Sequence, residues 1–284
     1  MKAGSIRMYG PEQWGSLEKF QKFYSSTHSL SDTGKRSVSG AINHFHKAIT
    51  LQNLAIKLIP NLEEDEKELD QHGFSRAVNS SEISAVIEGI ILELYSSLDC
   101  TRKVVTEIHS NYQGVPDSTR KYFQNIKKGK IDPNFPEQLI IAVNEATWYN
   151  GFRMIRDELT HHDTGRCHKD RDTGKIRYIH SGIKIKKESL IIDDIFEKLN
   201  QTFSEVNQFI ERVFKYLNTK LNNEPVIQIC GIFEGRAYTR FVSPHDATDF
   251  HGGVCESYKW FDLEGNPTCK FAAQCGAYNK AKKT

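Results

Sequence analysis

Residues 137–162 read EQLIIAVNEATWYNGFRMIRDELTHH, and the pattern in this stretch decides the fold. Apolar side chains recur in it at steps of three and four, the spacing of one face of an α-helix. They are Leu139, Val143, Ala146, Tyr149, Phe152, Ile155 and Leu159. The pattern therefore predicts one long helix over this stretch, with its apolar face buried in a mainly α protein.

Three polar residues near the end of this predicted helix form a candidate functional group. Arg156 lies at the edge of the apolar face, where a half-buried guanidinium needs a partner or a ligand. Asp157 and His161 are four residues apart and therefore share one helix face. The carboxylate can hold and polarise the imidazole, as an orienting acid does beside a general base. Ordinary helical surface, with basic residues that complement the helix dipole, is the alternative explanation.

The segment Arg-Asp-Glu-Leu-Thr-His from Arg156 to His161 resembles the signature of HEPN-domain ribonucleases: Arg, a polar residue, three further positions, and His. The resemblance covers roughly residues 81–221. It implies a HEPN-like antiparallel helical bundle and a metal-independent endoribonuclease that leaves 2′,3′-cyclic phosphate and 5′-hydroxyl ends. It also implies a homodimer with a composite active site and no cofactor. The biological role it implies is that of a toxin or effector in a prokaryotic defence or toxin–antitoxin system, with an antitoxin or sensor protein as a possible partner.

The same resemblance assigns roles to individual residues. His161 acts as general base on the ribose 2′-hydroxyl or as acid to the leaving 5′-oxygen, and His162 beside it is a supporting residue. Arg156 holds the scissile phosphate with its planar guanidinium and stabilises the charge that develops there. Asp157 fixes the imidazole tautomer.

A second helix supplies a further candidate. The apolar stripe over residues 81–112 predicts a helix of about thirty residues, which is typical of a bundle member. Asp99 lies close to that stripe. By the HEPN resemblance it is the candidate acidic partner of Arg156, and a surface pair with Arg102 or Lys103 is the alternative.

Basic residues crowd the chain on either side of the motif. Arg153 precedes it, and Arg166, Lys169 and Arg171 follow it in a polar region with a predicted β-hairpin about residues 181–182. These four are the predicted RNA contacts, because local basic density can hold phosphates. The formal net charge of +2 is too small by itself to predict a nucleic-acid-binding protein.

The chain is predicted to have three parts. Residues 1–80 form an N-terminal helical extension that packs on the bundle, residues 81–222 form the bundle, and residues 223–284 form a small β-rich, Cys-containing C-terminal segment. The last bundle helix is predicted over residues 189–221, and its regular pattern suits either burial within one bundle or contact with a second subunit.

The N-terminal extension has its own pattern. Helical spacing predicts a short helix over residues 11–24 and a long helix over residues 37–59. An acidic run at residues 61–73 then reads as a solvated connector.

Six cysteines are scattered over the chain, and four of them lie in the C-terminal segment: Cys230, Cys255, Cys269 and Cys275. They include no Cys-x-x-Cys pair, so the sequence favours a metal-free segment over a zinc site. The first ten residues contain no apolar leader, and no apolar run is as long as a membrane span. We therefore expect reduced thiols, a cytoplasmic location and no membrane partner.

Two other classes of function stay open at this stage. In one, the domain binds RNA or a nucleotide without cleaving it. In the other, the chain is a helical module whose partner is another protein, and the motif is a coincidence.

Overall fold

The structure is a computed structural model that describes residues 7–8, 15–233, 235–246 and 251–284. The described residues are mainly α-helical, with a small β part in two antiparallel sheets. The helices are α1 (Ser16–Phe23), α2 (Asp32–Leu58), α3 (Leu62–His72), α4 (Val78–Ile108), α5 (Thr119–Lys127), α6 (Glu137–Glu145), α7 (Tyr149–His161), α8 (Ile195–Asn218), α9 (Tyr258–Phe261) and α10 (Gly276–Ala281). The strands are β1 (Arg7–Met8), β2 (Arg166–Lys169), β3 (Ile176–Ile185), β4 (Glu188–Ile192), β5 (Val226–Phe233), β6 (Arg236–Val242) and β7 (Val254–Cys255).

The chain divides into two compact units. The central unit is Leu30–Val213, and the terminal unit combines Met1–Ser29 with Phe214–Thr284. This division differs from the predicted boundaries after residues 80 and 222. Helices α2 and α3 belong with α4 in the central unit, because α2 packs along the length of α4.

Close packing of α2 against α4 organises the central unit. The buried residues of α2 are mostly small, which lets the two backbones approach: Gly34, Ser37, Val38, Ala41, Ile42, Ala48 and Ala55. The Ser97 hydroxyl of α4 donates a 2.7 Å hydrogen bond to the Ala41 carbonyl. A Cβ added at Gly40 would lie 2.9 Å from Sγ of Cys100 on α4. These contacts fix the register of the two helices.

Helix α3 occupies the acidic run that the sequence pattern assigns to a connector. Its first turn contains three acidic residues, which are favourable beside a helix N-terminus. The buried Asp65 carboxylate also accepts hydrogen bonds from the backbone amides of Asn79 (3.2 Å) and Ser80 (2.7 Å) in the first turn of α4. The acidic run therefore stabilises two helix starts, and the connector prediction is wrong.

The predicted helix over residues 137–162 is broken into α6 and α7. Ala146 follows α6 with φ −76° and ψ 63°, outside the helical region. At the break the Ala146 carbonyl accepts hydrogen bonds from the Tyr149 amide at 3.3 Å and from the Lys127 ammonium at 3.4 Å. Ala146, Tyr149 and Phe152 are nevertheless all buried, so the apolar period continues across the break. For this reason periodicity predicts one helix where the structure has two.

The sheet of the central unit has the strand order β2-β3-β4. Strand β3 runs through residues 181–182, so the hairpin turn predicted there is wrong. The turn into β4 is at Lys186 and Lys187, which both have positive φ, as a two-residue hairpin turn requires. Strand β4 takes up residues that the helical pattern assigns to the last bundle helix, and α8 begins only at Ile195.

Helix α4 also carries the polar groups that hold this sheet. The buried Glu88 carboxylate accepts hydrogen bonds from the Gly165 amide (2.6 Å) and the Tyr178 hydroxyl (2.8 Å). The Ser84 hydroxyl accepts one from the Cys167 amide at 2.8 Å. A buried carboxylate is costly without such donors, so the start of β2 and the middle of β3 are tied to one face of α4.

The terminal unit contains a sheet with the strand order β1-β5-β6-β7, followed by α9 and α10. Helix α1 packs on the end of α8, with the Phe20 and Phe214 rings 5.3 Å apart. The predicted first helix begins earlier, at residue 11, and residues 11–14 lie outside the described part of the chain. The sheet agrees with the predicted small β-rich C-terminal segment.

Replacing Gly40 with valine should destabilise the protein by about 1–3 kcal/mol, because the added methyl groups enter space that Cys100 fills. Urea unfolding followed by circular dichroism measures this loss. In a Cys100→Ala background the same replacement should cost clearly less, because the clashing sulfur is gone. Equal costs in the two backgrounds would contradict this packing.

Candidate active site

An open cleft of about 560 Å³ lies where α4, α5 and α7 meet in the central unit. Its lining is mostly polar and consists of Tyr95, Asp99, Ser118, Thr119, Arg120, Arg153, Met154, Arg156, Asp157, Glu158, His161 and His162. The cleft therefore brings together the three motif residues and both supporting residues proposed from the sequence.

Arg156 rests on an aromatic floor. Its guanidinium carbon lies 3.8 Å from the centre of the Tyr95 ring, which is close enough for a cation–π interaction. The Tyr95 hydroxyl lies 3.1 Å from the Tyr149 hydroxyl, and the Tyr149 ring stacks on Phe123 with centres 3.6 Å apart. Burial raises the pKa of both tyrosines, so both hydroxyls stay protonated in this pair. The floor under Arg156 is thus a packed, uncharged layer.

Asp157 pairs with two arginines, and no hydrogen bond or ion pair joins it to His161. One carboxylate oxygen accepts from Arg153, and the other lies 2.9 Å from Nη1 of Arg156. The expected Asp157–His161 hydrogen bond is absent, and both Asp157 oxygens accept from guanidinium groups instead. Within the described residues the His161 ring has no hydrogen-bond partner, and its centre lies 6.4 Å from that of the His162 ring. Asp157 positions the two arginines instead of the imidazole.

Asp99 lines the cleft, but it is not the partner of Arg156. Its carboxylate pairs with Arg102 (3.3 Å) and Lys103 (3.2 Å) and accepts a hydrogen bond from the Thr119 hydroxyl. This is the alternative left open by the sequence. Burial opposes ionisation of Asp99, but the Thr119 hydrogen bond and the Arg102 charge outweigh it, so its pKa lies below the usual range.

The structure separates the predicted RNA contacts. Arg153 lines the cleft, and Arg166 is exposed at the start of β2, outside the cleft lining. Lys169 lies 3.4 Å from Glu63, and Arg171 lies 2.9 Å from Asp70. The last two basic residues are therefore paired with acidic residues of α3, and the prediction that they meet RNA beside the motif is not supported by their position.

Two residues that line the cleft, Tyr95 and Arg120, are not among the site residues predicted from the sequence. Arg120 comes from the basic segment of α5, whose position beside the motif depends on the packing of α5 on α4. Tyr95 precedes Asp99 by one helical turn on the same face of α4. That spacing was the available signal for Tyr95, and Arg120 had none beyond its charge.

No protein-family model matches the chain, and no curated protein or solved structure is significantly similar to it. Among the described helices, none combines the length and the apolar character needed to cross a membrane.

Replacing Asp99 with asparagine should lower stability by about 1–3 kcal/mol near neutral pH, because three donors lose a charged acceptor. The pKa of Asp99 is lower in the folded state, so its contribution is present above the unfolded value of 3.8 and is lost as the pH falls through the folded value. The difference between wild type and variant should therefore be smaller at about pH 3 than near neutral pH.

Urea unfolding at both pH values measures this difference. Asp117→Asn is the matched control, since Asp117 is exposed and close in sequence, and it should change little at either pH. A cost for Asp99→Asn that is the same at both pH values would contradict an ionised, stabilising Asp99.

Proposed function

We propose that the protein is a metal-independent endoribonuclease of the HEPN kind, with its active site in the cleft at the end of α7. The observation that supports the proposal is that Arg156, Asp157 and His161 line one cleft together with His162. A guanidinium can stabilise the charged phosphate, and an imidazole can act as acid or base, in cleavage of RNA by its own 2′-hydroxyl.

In the proposed reaction the 2′-oxygen of the substrate attacks the adjacent phosphorus, and the bond from phosphorus to the 5′-oxygen breaks. One imidazole takes the proton of the 2′-hydroxyl, and a second proton goes to the leaving 5′-oxygen. Arg156 binds the phosphate and stabilises the charge of the transition state. The products are a 2′,3′-cyclic phosphate and a 5′-hydroxyl.

The role of Asp157 in this proposal differs from the one expected from the motif. Because its carboxylate binds Arg153 and Arg156, it orients the guanidinium groups toward the cleft. Arg120 and Arg153 add positive charge on either side of Arg156, and phosphate contacts of this kind position a nucleic acid.

The proposed acid and base require two imidazoles. We propose that a homodimer brings two copies of His161 to a composite site, with His162 in support. As a toxin or effector in a prokaryotic defence or toxin–antitoxin system, such an enzyme would act on cytoplasmic RNA and be controlled by an antitoxin or sensor protein.

Binding of RNA without cleavage is the second candidate function. The observation that favours it is the lack of a hydrogen-bond partner for the His161 ring, since a general base is usually oriented by a third group. The arginine side chains that line the cleft can bind the phosphates of a nucleic acid without any catalysis.

Incubation of the purified protein with mixed RNA in EDTA distinguishes RNA cleavage from RNA binding without cleavage. We expect wild type to cleave and His161→Ala to lose about 100-fold or more of the rate, which is the usual loss for a general acid or base. The matched control is His168→Ala, which removes an exposed imidazole of β2 outside the cleft lining and should leave the rate unchanged. Equal cleavage by wild type and His161→Ala would overturn the assignment, and RNA binding without cleavage would favour the second candidate.

Replacement of Tyr95 tests the aromatic floor. Tyr95→Phe keeps the ring beneath Arg156 and should retain most of the cleavage rate. Tyr95→Leu removes the cation–π contact and should lower the rate by about 3–30-fold, the equivalent of about 0.5–2 kcal/mol. Initial rates on one defined RNA, with circular dichroism as the folding check, measure both. A loss in Tyr95→Phe as large as in Tyr95→Leu would assign the effect to the hydroxyl.

A further inference from the structure

Four cysteines that are far apart in sequence surround one small cavity in the terminal unit. Cys230 lies on β5, Cys255 on β7, Cys269 in the turn after α9, and Cys275 at the N-cap of α10. All four line a cavity of about 80 Å³, together with aromatic side chains and Arg240. The fold therefore brings the four cysteines to one cavity, although their spacing in the sequence includes no Cys-x-x-Cys pair.

The backbone around these cysteines presents donors to sulfur. The Tyr278 amide donates to Sγ of Cys275 at 3.4 Å. The Ser257 amide faces Cys255, and the amides of Phe271 and Ala272 face Cys269. Backbone N–H groups directed at sulfur favour the thiolate, which is the form that binds metal.

We propose that Cys230, Cys255, Cys269 and Cys275 bind one Zn²⁺ as a closed structural site of four thiolates. Four sulfur ligands in a tetrahedral arrangement are typical of such sites. On binding, each thiol releases its proton to solvent, and four Zn–S bonds form. The resulting double negative charge is offset in part by Arg240, which is buried and lines the same cavity.

Closing the site requires rotation of the side chains. Among the described residues, no group of three or more His, Cys, Asp and Glu side chains is arranged to hold a metal ion. The Cys230 thiol, for example, donates to the Tyr238 carbonyl at 3.3 Å, and this hydrogen bond is lost when the thiol is deprotonated. All four cysteines line one cavity, so we infer that rotation of their side chains brings the sulfurs around the ion.

The site has a structural purpose in this unit. The described part of the segment after residue 222 contains few buried apolar side chains: Tyr238, Val242, Ala277 and Tyr278. A segment with so little core of its own can be stabilised by a metal or by disulfides. One zinc ion would join β5, β7, the turn after α9, and α10.

The test measures metal in the full-length protein purified under reducing conditions. We expect about one zinc ion per chain by mass spectrometry of the metal content. Each of Cys230→Ser, Cys255→Ser, Cys269→Ser and Cys275→Ser should lower that content about tenfold or more after gel filtration against a chelator. Cys100→Ser is the matched control, since Cys100 lies in the central unit, and it should keep its zinc.

A measurement on the wild-type chain makes the test independent of how well the variants fold. Replacement of zinc by Co²⁺ should give the intense visible absorption of cobalt bound by thiolates in tetrahedral geometry. Absence of zinc and cobalt binding by the reduced wild-type protein would overturn the proposal. Disulfides among the four cysteines, an iron–sulfur cluster in their place, or loss of zinc in Cys100→Ser would overturn it equally.

Discussion

The packing of α4 against its neighbours is the constraint on which the central unit depends. Ser97 ties α4 to the backbone of α2, and Ser84 and Glu88 tie it to the β2-β3-β4 sheet. Tyr95 and Asp99, on the side facing α5 and α7, form the floor and wall of the cleft. Because one rigid helix of 31 residues carries all of these contacts, a shift in its register would disturb the sheet and the cleft together.

A series of packed aromatic side chains positions the Arg156 guanidinium in the cleft. Phe123 stacks on Tyr149, Tyr149 pairs with Tyr95, and Tyr95 lies beneath Arg156. Each layer restricts the next, so side chains from α4, α5 and α7 together hold the guanidinium in place. Such support from neighbouring side chains is what precise positioning of a functional group requires.

The sequence predicted the long helices well, because their apolar side chains keep one period over many turns. It predicted the α6–α7 break poorly, because Ala146 stays on that period while its backbone leaves the helix. Arg156, Asp157 and His161 line one cleft, as expected of residues near one helix end, although Asp157 binds arginines and not His161. Arg102 and Lys103 lie three and four residues after Asp99, so spacing along the helix predicts them as its partners. The partners of Lys169, Arg171 and the four C-terminal cysteines depend on which elements pack together. Spacing along the chain carries no information on that.

In the Arg153–Asp157–Arg156 cluster, the Asp157 carboxylate competes with incoming anions for the two guanidinium groups. The Asp157 carboxylate contacts Nη1 of Arg156, so an anion that approaches this nitrogen competes with a carboxylate held on the adjacent residue at high effective concentration. A small monovalent anion gains little from that exchange. A polyanion that engages several guanidinium groups at once gains on each of them, so the internal carboxylate acts as a filter for ligands with repeated negative charge.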